Sequence, residues 1–303
     1  MNILLLGKTG QVGQSILKNN NKHKILSFNR FEMPLDDQQK LSKNLFHILN
    51  KHKIDFLINA AAFTDVNAAE KNQSLAYEIN ANALLTISSE LKKNLKINNT
   101  VLIHFSTDYV FNGSGYKPWY PNSETKPLNV YGKSKIKGEE IIRESLIPAI
   151  VLRTSWVFSQ NGNNFLKKII KKLKNQESLK IVDDQIGSPT SSEFISQFCL
   201  HAIENKQLHN KLGTYHLTAK GTTSWFGFAR YIADLALEKG IFNFNKSQKI
   251  LPVKSSSFDT SVTRPLNSHL DCSSLEKNFK FPRTTWKQQT QDVLDMIVSK
   301  KGK

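Results

Sequence analysis

Two side chains in this sequence are spaced for proton transfer. Tyr131 and Lys135 lie four residues apart in Tyr131-Gly132-Lys133-Ser134-Lys135, so on a helix they share one face. A free phenol has a pKa of about 10 and exchanges its proton poorly at neutral pH. A neighbouring ammonium favours the phenolate and so makes the phenol a better acid. Ser106-Thr107-Asp108 follows the apolar run that starts at Val101. Thr107 can hydrogen-bond the oxygen of a carbonyl that receives a hydride, while Tyr131 delivers the proton as general acid. Taken alone, the Tyr/Lys pair also fits an amphipathic helix with the tyrosine in the core and the lysine in water. A glycine-rich segment near the amino terminus favours the chemical reading.

That segment is Gly7-Lys8-Thr9-Gly10-Gln11-Val12-Gly13, directly after Ile3-Leu4-Leu5-Leu6. Its three glycines serve a tight turn, a close approach of backbone to a diphosphate, and a close contact of helix on strand. Amides around Thr9, Gly10, Gln11 and Val12, where a helix begins, then face the diphosphate. Lys135 can in addition hold a nicotinamide ribose. The second candidate strand ends at Phe28-Asn29-Arg30, where an acid would accept the ribose hydroxyls of NADH. Arg30 can instead pair with a 2′-phosphate, which tilts the expectation towards NADPH; an arginine facing solvent is the competing reading. Asp36 and Asp37 are expected near the adenine, whose exocyclic amine a carboxylate can accept from. Ala60, Ala61 and Ala62 follow a strand end at Asn59, and their small side chains let a flat cofactor lie close to the backbone.

The elements that must hold these residues alternate. Strands are expected at 2–6, 24–28, 54–59, 101–106 and 149–153, with helices at 11–19, 72–94 and 132–145 between them. Alternation of this kind predicts a parallel sheet covered on both faces, an α/β fold of the Rossmann-type doubly wound class. Beyond about 175 the texture changes: a short strand at 179–182, a turn at 187–190, helices at 191–205 and 224–239, a strand at 213–217, and prolines at 252, 265 and 282. We therefore expect a cofactor-binding domain over 1–175 with a return segment near 211–240. Residues 176–303 are expected to form mainly a smaller α/β substrate lobe. No internal repeat is visible.

Composition narrows the classes. Hydrophobic residues are 39% and charged residues 22% of 303, enough for a packed core. The chain enters a strand at once with no basic leader, and no apolar run approaches the roughly 18 residues of a membrane span, so a cytoplasmic protein is expected. Cys199 and Cys272 have no metal-site spacing and read as ordinary buried thiols. The net charge of +17 raises a nucleic-acid function, but no such module accompanies it. In the densest basic stretch, 167–174, apolar residues interrupt the lysines at helical spacing, which predicts one buried face and one solvated face. An anionic small substrate fits that charge; nucleic acid and membrane are not expected partners. A nucleotide-sensing subunit without catalysis would commonly lose Tyr131 or Lys135, and both are present.

The chain resembles the extended short-chain dehydrogenase/reductase superfamily and, within it, the dTDP-4-dehydrorhamnose reductase family. The matching blocks run in order: 7–13, Asn-Ala-Ala-Ala-Phe-Thr at 59–64, Ser-Thr-Asp-Tyr-Val-Phe at 106–111 and Pro-Leu-Asn-Val-Tyr-Gly at 127–132. They continue with Arg-Thr-Ser-Trp-Val-Phe at 153–158, Gly-Asn-Asn-Phe at 162–165, 184–190, 221–225 and Arg-Pro-Leu-Asn-Ser at 264–268. The glycine and Tyr/Lys blocks mark only the superfamily; those at 106–111, 153–158 and 264–268 are more specific. The resemblance implies that Thr107, Tyr131 and Lys135 are catalytic and that Asp108 and Trp156 meet the sugar. It places Arg153, Asn163, Asn164 and Arg264 around the substrate. It implies reduction of dTDP-4-dehydro-L-rhamnose to dTDP-L-rhamnose with NADPH or NADH, feeding cell-surface polysaccharide such as lipopolysaccharide. Another nucleotide-sugar reductase or epimerase would share the catalytic pair. Some members bridge a dimer with Mg2+ held by glutamates, one of them in the first helix. Here that stretch is Gly13-Gln14-Ser15-Ile16, and only Glu193 matches, which counts against the metal and leaves monomer or homodimer open.

Overall fold

The computed structural model describes residues 1–95, 99–175, 178–241, 250–258 and 262–299. The expected domain boundary at 175/176 abuts residues outside that set. The strands are β1 (Asn2–Leu6), β2 (Lys24–Phe28), β3 (Phe56–Asn59), β4 (Val101–Thr107), β5 (Ala149–Thr154), β6 (Val157–Phe158), β7 (Leu179–Val182), β8 (Ile186–Gly187), β9 (Thr190–Ser191), β10 (Gly213–His216), β11 (Thr223–Ser224), β12 (Ile250–Val253) and β13 (Asn267–Ser268). The helices are α1 (Gln11–Asn19), α2 (Gln38–Lys51), α3 (Val66–Lys71), α4 (Gln73–Tyr77), α5 (Ala83–Asn94), α6 (Val130–Ser145), α7 (Phe165–Lys174), α8 (Ser192–Ile203), α9 (Trp225–Glu238), α10 (Ser273–Phe279) and α11 (Trp286–Ser299).

Six strands form one sheet in the order β10-β5-β4-β3-β1-β2, and every neighbouring pair is parallel. The chain leaves β1 for β2 on one side and returns to β3 on the other. That reversal opens a crevice at the carboxyl ends of β1 and β3, where ligands of such sheets bind. Side chains alternate across the sheet. Leu4, Leu6, Leu57 and Leu102 pack with Leu41, Leu45, Leu84 and Ile141 from α2, α5 and α6. Ile3, Leu5, Ile58 and Ile103 pack with Ile16, Phe194 and Phe198 from α1 and α8 on the opposite face.

A third apolar cluster stands apart from the sheet. Leu166, Ile170 and Leu173 of α7 meet Phe228 and Ile232 of α9 and Val293 of α11. The lysines of α7 turn outwards while Leu166, Ile169, Ile170 and Leu173 are buried, so the basic stretch is a solvated face. Packing does not follow a single cut along the chain: α7 fills the small lobe, whereas α8 and β10 return to the main sheet. The pairs β6–β9 and β7–β12, with the three strands β11-β8-β13, complete the smaller lobe.

The stretch 72–94, expected as one helix, is interrupted. A π-helical turn, Glu78–Asn82, separates α4 from α5. The wider turn places Asn80 so that its amide donates to Phe63 O (3.0 Å) and Ser134 Oγ (3.0 Å) and accepts from Phe63 N (2.9 Å). Single π-turns of this kind collect at functional sites. This one ties the loop after β3 to α6. Cys199 and Cys272 are both buried and free. Among the described residues no helix is long and apolar enough to cross a membrane.

Candidate active site

The glycine turn sits at the reversal of the sheet. Gly7 has φ +86, and a Cβ there would lie 2.8 Å from the backbone of Ala60 and Ala61. A Cβ on Gly13 would lie 2.2 Å from Gly7 O. Both positions are closed to any side chain, so α1 starts against the ends of β1 and β3. Gly10 is the N-cap of α1 and offers no side-chain hydrogen bond to the first amides. Those amides are left to an anion from outside. The cradle fits a dinucleotide diphosphate. Asn164, 6% exposed, caps α7 and donates to Gln11 Oε1 (3.0 Å), which brings the 161–164 loop over the turn; Asn163 beside it is exposed.

Around the end of β2 the charges differ from a simple cation site. Arg30 is exposed and lies over the Phe31 ring, 5.0 Å from its centroid. Lys8 in the glycine turn pairs with Glu32 at 2.7 Å, and Glu32 also accepts from Asn29 N. The hydrogen bond from Lys8 holds the Glu32 carboxyl below its ordinary range. The sequence reading passed over Lys8 and Glu32, although Lys8 stands inside the motif. Asp37 caps α2, accepting from Lys40 N at 2.9 Å, and Asp36 is exposed beside it.

The acid–base group gathers at the ends of β4 and α6. Asn129 caps α6 by accepting from Gly132 N at 2.9 Å, and its own amide donates to Thr263 O. A Cβ on Gly132 would meet Tyr109 O at 2.2 Å, so the first turn of α6 presses on the segment after β4. Tyr131 is thereby set beside Thr107. Thr107 Oγ1 donates to Asp108 Oδ1 (3.1 Å), and the Ser268 hydroxyl stands at the same buried carboxylate. Burial pushes the Asp108 carboxyl up to about 6. Tyr131 also meets the edge of Tyr109 with ring centroids 5.7 Å apart. Arg264 donates to Asn67 Oδ1 (2.6 Å) and hydrogen-bonds Tyr109, which closes this side of the group.

Lys135 departs from the expected picture. It does share a helix face with Tyr131, but the residue is 2% exposed and its amine donates to Phe105 O (2.6 Å), with His104 Nε2 at 3.2 Å. The Tyr131 phenol is not lowered. Burial pushes it up to about 12, only partly offset by its hydrogen bond with Thr107. The ammonium expected to acidify it is turned towards β4 instead. Burial also draws Lys135 down to about 8.

Two further expected residues are placed by packing. Trp156 has φ 51, an unusual value for a bulky side chain, and its indole stacks on Trp225 at 3.6 Å between ring centroids, 9° from parallel. The site of a Cβ on Gly187 lies 2.6 Å from the same indole. Arg153, expected near substrate, is engaged elsewhere. It is 4% exposed; Nε and Nη2 donate to Glu139 (2.9 and 2.6 Å) and Nη1 to Pro121 O (3.0 Å). Ser106 Oγ adds a hydrogen bond to the same carboxylate. These contacts occupy the guanidinium fork, so in this arrangement Arg153 joins α6 to β5. The position matched to a metal-bridging glutamate, Glu193, is buried beside Ser192, whose hydroxyl bonds Ser15 at 2.7 Å. One carboxylate with two hydroxyls is a poor donor set for Mg2+. Among the described residues no group of three or more His, Cys, Asp or Glu forms a metal site.

The chain is similar to known proteins over nearly its whole length. Residues 1–299 match the family described as the RmlD substrate binding domain. The dTDP-4-dehydrorhamnose reductase of Salmonella typhimurium is 34% identical over 298 residues, covering 97% of each chain. The enzyme of that name from Escherichia coli K12 is also 34% identical, covering 98% of each chain. Among solved structures, a dTDP-4-dehydrorhamnose reductase from Clostridium acetobutylicum superposes with a TM-score of 0.87 at 29% identity, over 98% of this chain and 99% of that one. The Bacillus anthracis enzyme of that name, in complex with NADP, also gives 0.87, at 28% identity, over 97% and 99% of the two chains. The fold is an NAD(P)-binding one, and this chain belongs to the dTDP-4-dehydrorhamnose reductase family of the extended short-chain reductases.

Proposed function

We infer that this protein reduces the 4-keto group of dTDP-4-dehydro-L-rhamnose to give dTDP-L-rhamnose, using NAD(P)H. The observation that carries the site assignment is the contact of Tyr131 with Thr107 at the carboxyl end of β4, on the same edge of the sheet as the glycine cradle. NAD(P)H, held by the glycine turn and Lys135, would supply the hydride to C4. Thr107 and Tyr131 meet the C4 oxygen, and Tyr131 passes its phenolic proton to that oxygen as negative charge develops. The raised phenol suits a reduction, because the proton is in place throughout the neutral range. The nascent alkoxide is the stronger base, so transfer runs downhill. Lys135 would hold the nicotinamide ribose. The Asp108 carboxylate would accept from a sugar hydroxyl, Trp156 on Trp225 would offer an apolar face to the deoxy carbon, and Arg264 would border the substrate through Tyr109.

For the cofactor, exposed Arg30 supports NADPH over NADH. Arg30→Ala should reduce kcat/KM for NADPH several times more than for NADH, and equal losses would remove the 2′-phosphate contact. No step runs through a metal. The product would serve cell-surface polysaccharide assembly, and a cytoplasmic site fits the phosphorylated substrate and cofactor. The reaction is tested by following cofactor oxidation with a panel of dTDP- and GDP-linked 4-keto-deoxysugars and reading product stereochemistry by NMR. The dTDP-L-lyxo-4-keto sugar should turn over best and give the L-rhamno product. Preference for a GDP sugar, or a product of the other configuration at C4, would overturn the assignment.

A further inference from the structure

Behind the acid lies a buried line of three side chains, Asn59, His104 and Lys135. Asn59 and His104 are register partners on β3 and β4 and are each 1% exposed. The backbone fixes the Asn59 amide: Ala61 N–H, which can only donate, donates to Asn59 Oδ1 at 3.2 Å. The amide nitrogen therefore faces His104 Nδ1, at 3.2 Å. It has only hydrogens to offer, so Nδ1 accepts and a neutral ring must carry its proton on Nε2. The ring is neutral, since burial holds it well below the ordinary histidine range. The Nε2 proton points at Lys135 Nζ, 3.2 Å away. Phe105 O accepts from the same Nζ at 2.6 Å. An ammonium has no lone pair and can serve only the carbonyl. A neutral amine satisfies both neighbours.

We propose that His104, its tautomer set by Asn59, is a positioning residue that parks Lys135 as a neutral amine against β4, so that cofactor binding takes up one proton as the lysine swings to the ribose. The proposal rests on the reductase reading, in which Lys135 meets the cofactor. On binding, the Nε2–H···Nζ hydrogen bond breaks, the amine takes a proton from water, and the resulting ammonium donates to ribose oxygens; nothing is oxidised or reduced. The other charged and titratable groups near Lys135 do not replace this device. Glu139, one turn along α6, favours the charged lysine, but Arg153 from β5 neutralises it. Tyr131 keeps its proton, and Asp108 lies beyond Thr107. With burial drawing Lys135 to about 8, the neutral amine dominates in mildly alkaline solution.

The tautomer is read directly from long-range proton–nitrogen correlations in protein labelled with 15N-histidine, His104→Gln identifying the signals by their loss. The Nε2–H form should persist from about pH 7 to about pH 9. An Nδ1–H or charged ring would overturn the proposal without touching the reductase assignment. Proton uptake is measured by calorimetry of NADH binding at about pH 9 in buffers of different ionisation enthalpy, NADH being chosen because it lacks the titrating 2′-phosphate. Wild type should take up close to one proton. His104→Gln, whose amide oxygen accepts from an ammonium, should lose at least half of that uptake while still binding NADH. Equal uptake in the two proteins, or NADH binding without uptake in wild type, would sink the idea. Failure of NADH to bind at all would instead sink the cofactor reading on which it stands.

Discussion

Replacing Tyr131 with phenylalanine separates the chemistry from everything else this residue does. The ring stays, and with it the edge contact to Tyr109 and the seat of α6 on the segment after β4. One oxygen and one hydrogen bond to Thr107 are lost. A hydrogen bond of that kind contributes about 1 kcal/mol to stability, so Tm should fall by about 2 °C in a chain of this size. The chemical step should suffer far more. A positioned acid is worth about 10²- to 10⁴-fold, or about 3–5 kcal/mol of barrier. Thr107 would remain, but an aliphatic hydroxyl is a far weaker acid than a phenol, so it can hold the oxygen in line and cannot take over the transfer. The assay is a single-turnover measurement of cofactor oxidation with the keto sugar in excess, alongside a fluorescence titration of cofactor affinity. The variant should bind NADPH within about twofold of wild type and reduce the sugar at least about 100-fold more slowly. A single-turnover rate near that of wild type would mean another group delivers the proton. A loss of cofactor affinity as large as the loss of rate would make Tyr131 a binding residue.

Gly13→Ala would press a methyl against Gly7 O, backbone that has no room to retreat. Overpacking costs about 1–3 kcal/mol, so NADH and NADPH affinities should fall by about tenfold or more in fluorescence titrations, and unchanged affinities would refute the close seat of α1. Glu139→Gln leaves Arg153 buried without its counter-charge. That should cost about 3–5 kcal/mol in denaturant unfolding, with much of it recovered in the apolar double variant Glu139→Leu/Arg153→Met; a loss below about 1 kcal/mol would show the pair to be dispensable. Asp108 has its folded pKa raised by burial from 3.8 to about 6, so its stabilising contribution is present below the unfolded value and lost as pH rises through about 6. Asp108→Asn should therefore melt higher than wild type at about pH 8 and lose that advantage by about pH 4, at reduced activity. A difference in Tm that does not change with pH would refute the burial penalty.

Local rules made much of this fold legible in the sequence. The run 2–6 followed by Gly7 marks a strand and its turn because both signals are local and opposite in kind. Tyr131 and Lys135 share a face wherever they are helical, and the Asn129 cap fixes where that helix starts. What the spacing could not carry was direction over distance. Lys135 turns away from Tyr131 because His104 and the Phe105 carbonyl, some 30 residues earlier, hold it more strongly. Arg153 reads as a ligand-binding cation until Glu139, 14 residues before it, is seen on the neighbouring helix. Asp37 reads as an adenine contact, yet its carboxylate satisfies the first turn of α2, a cap visible from the helical pattern that follows. The small lobe has no long periodic segment apart from its helices. Its two-residue strands draw their pairing from tertiary contacts rather than from their own sequences.

The π-turn at Glu78–Asn82 sets a limit on how this chain can be shortened. A π-turn is an α-helix carrying one extra residue, and deleting one residue from it restores ordinary i→i−4 bonding. The repaired helix would be locally more regular. The flanking helices would keep their facing to within about 10°, because four α residues sweep nearly the same angle as the five of the wider turn, and only the bulge that carries Asn80 would be lost. Asn80 would then point away from Phe63 and Ser134, and α6 would lose its tether to the loop after β3. In an alignment of natural or designed variants, gaps should therefore be rare between 78 and 82 even though the segment looks like tolerant helix. A library of single-residue deletions along 73–94 should show 78–82 as the stretch where expression is kept while cofactor binding falls, since only the Asn80 tether is lost there.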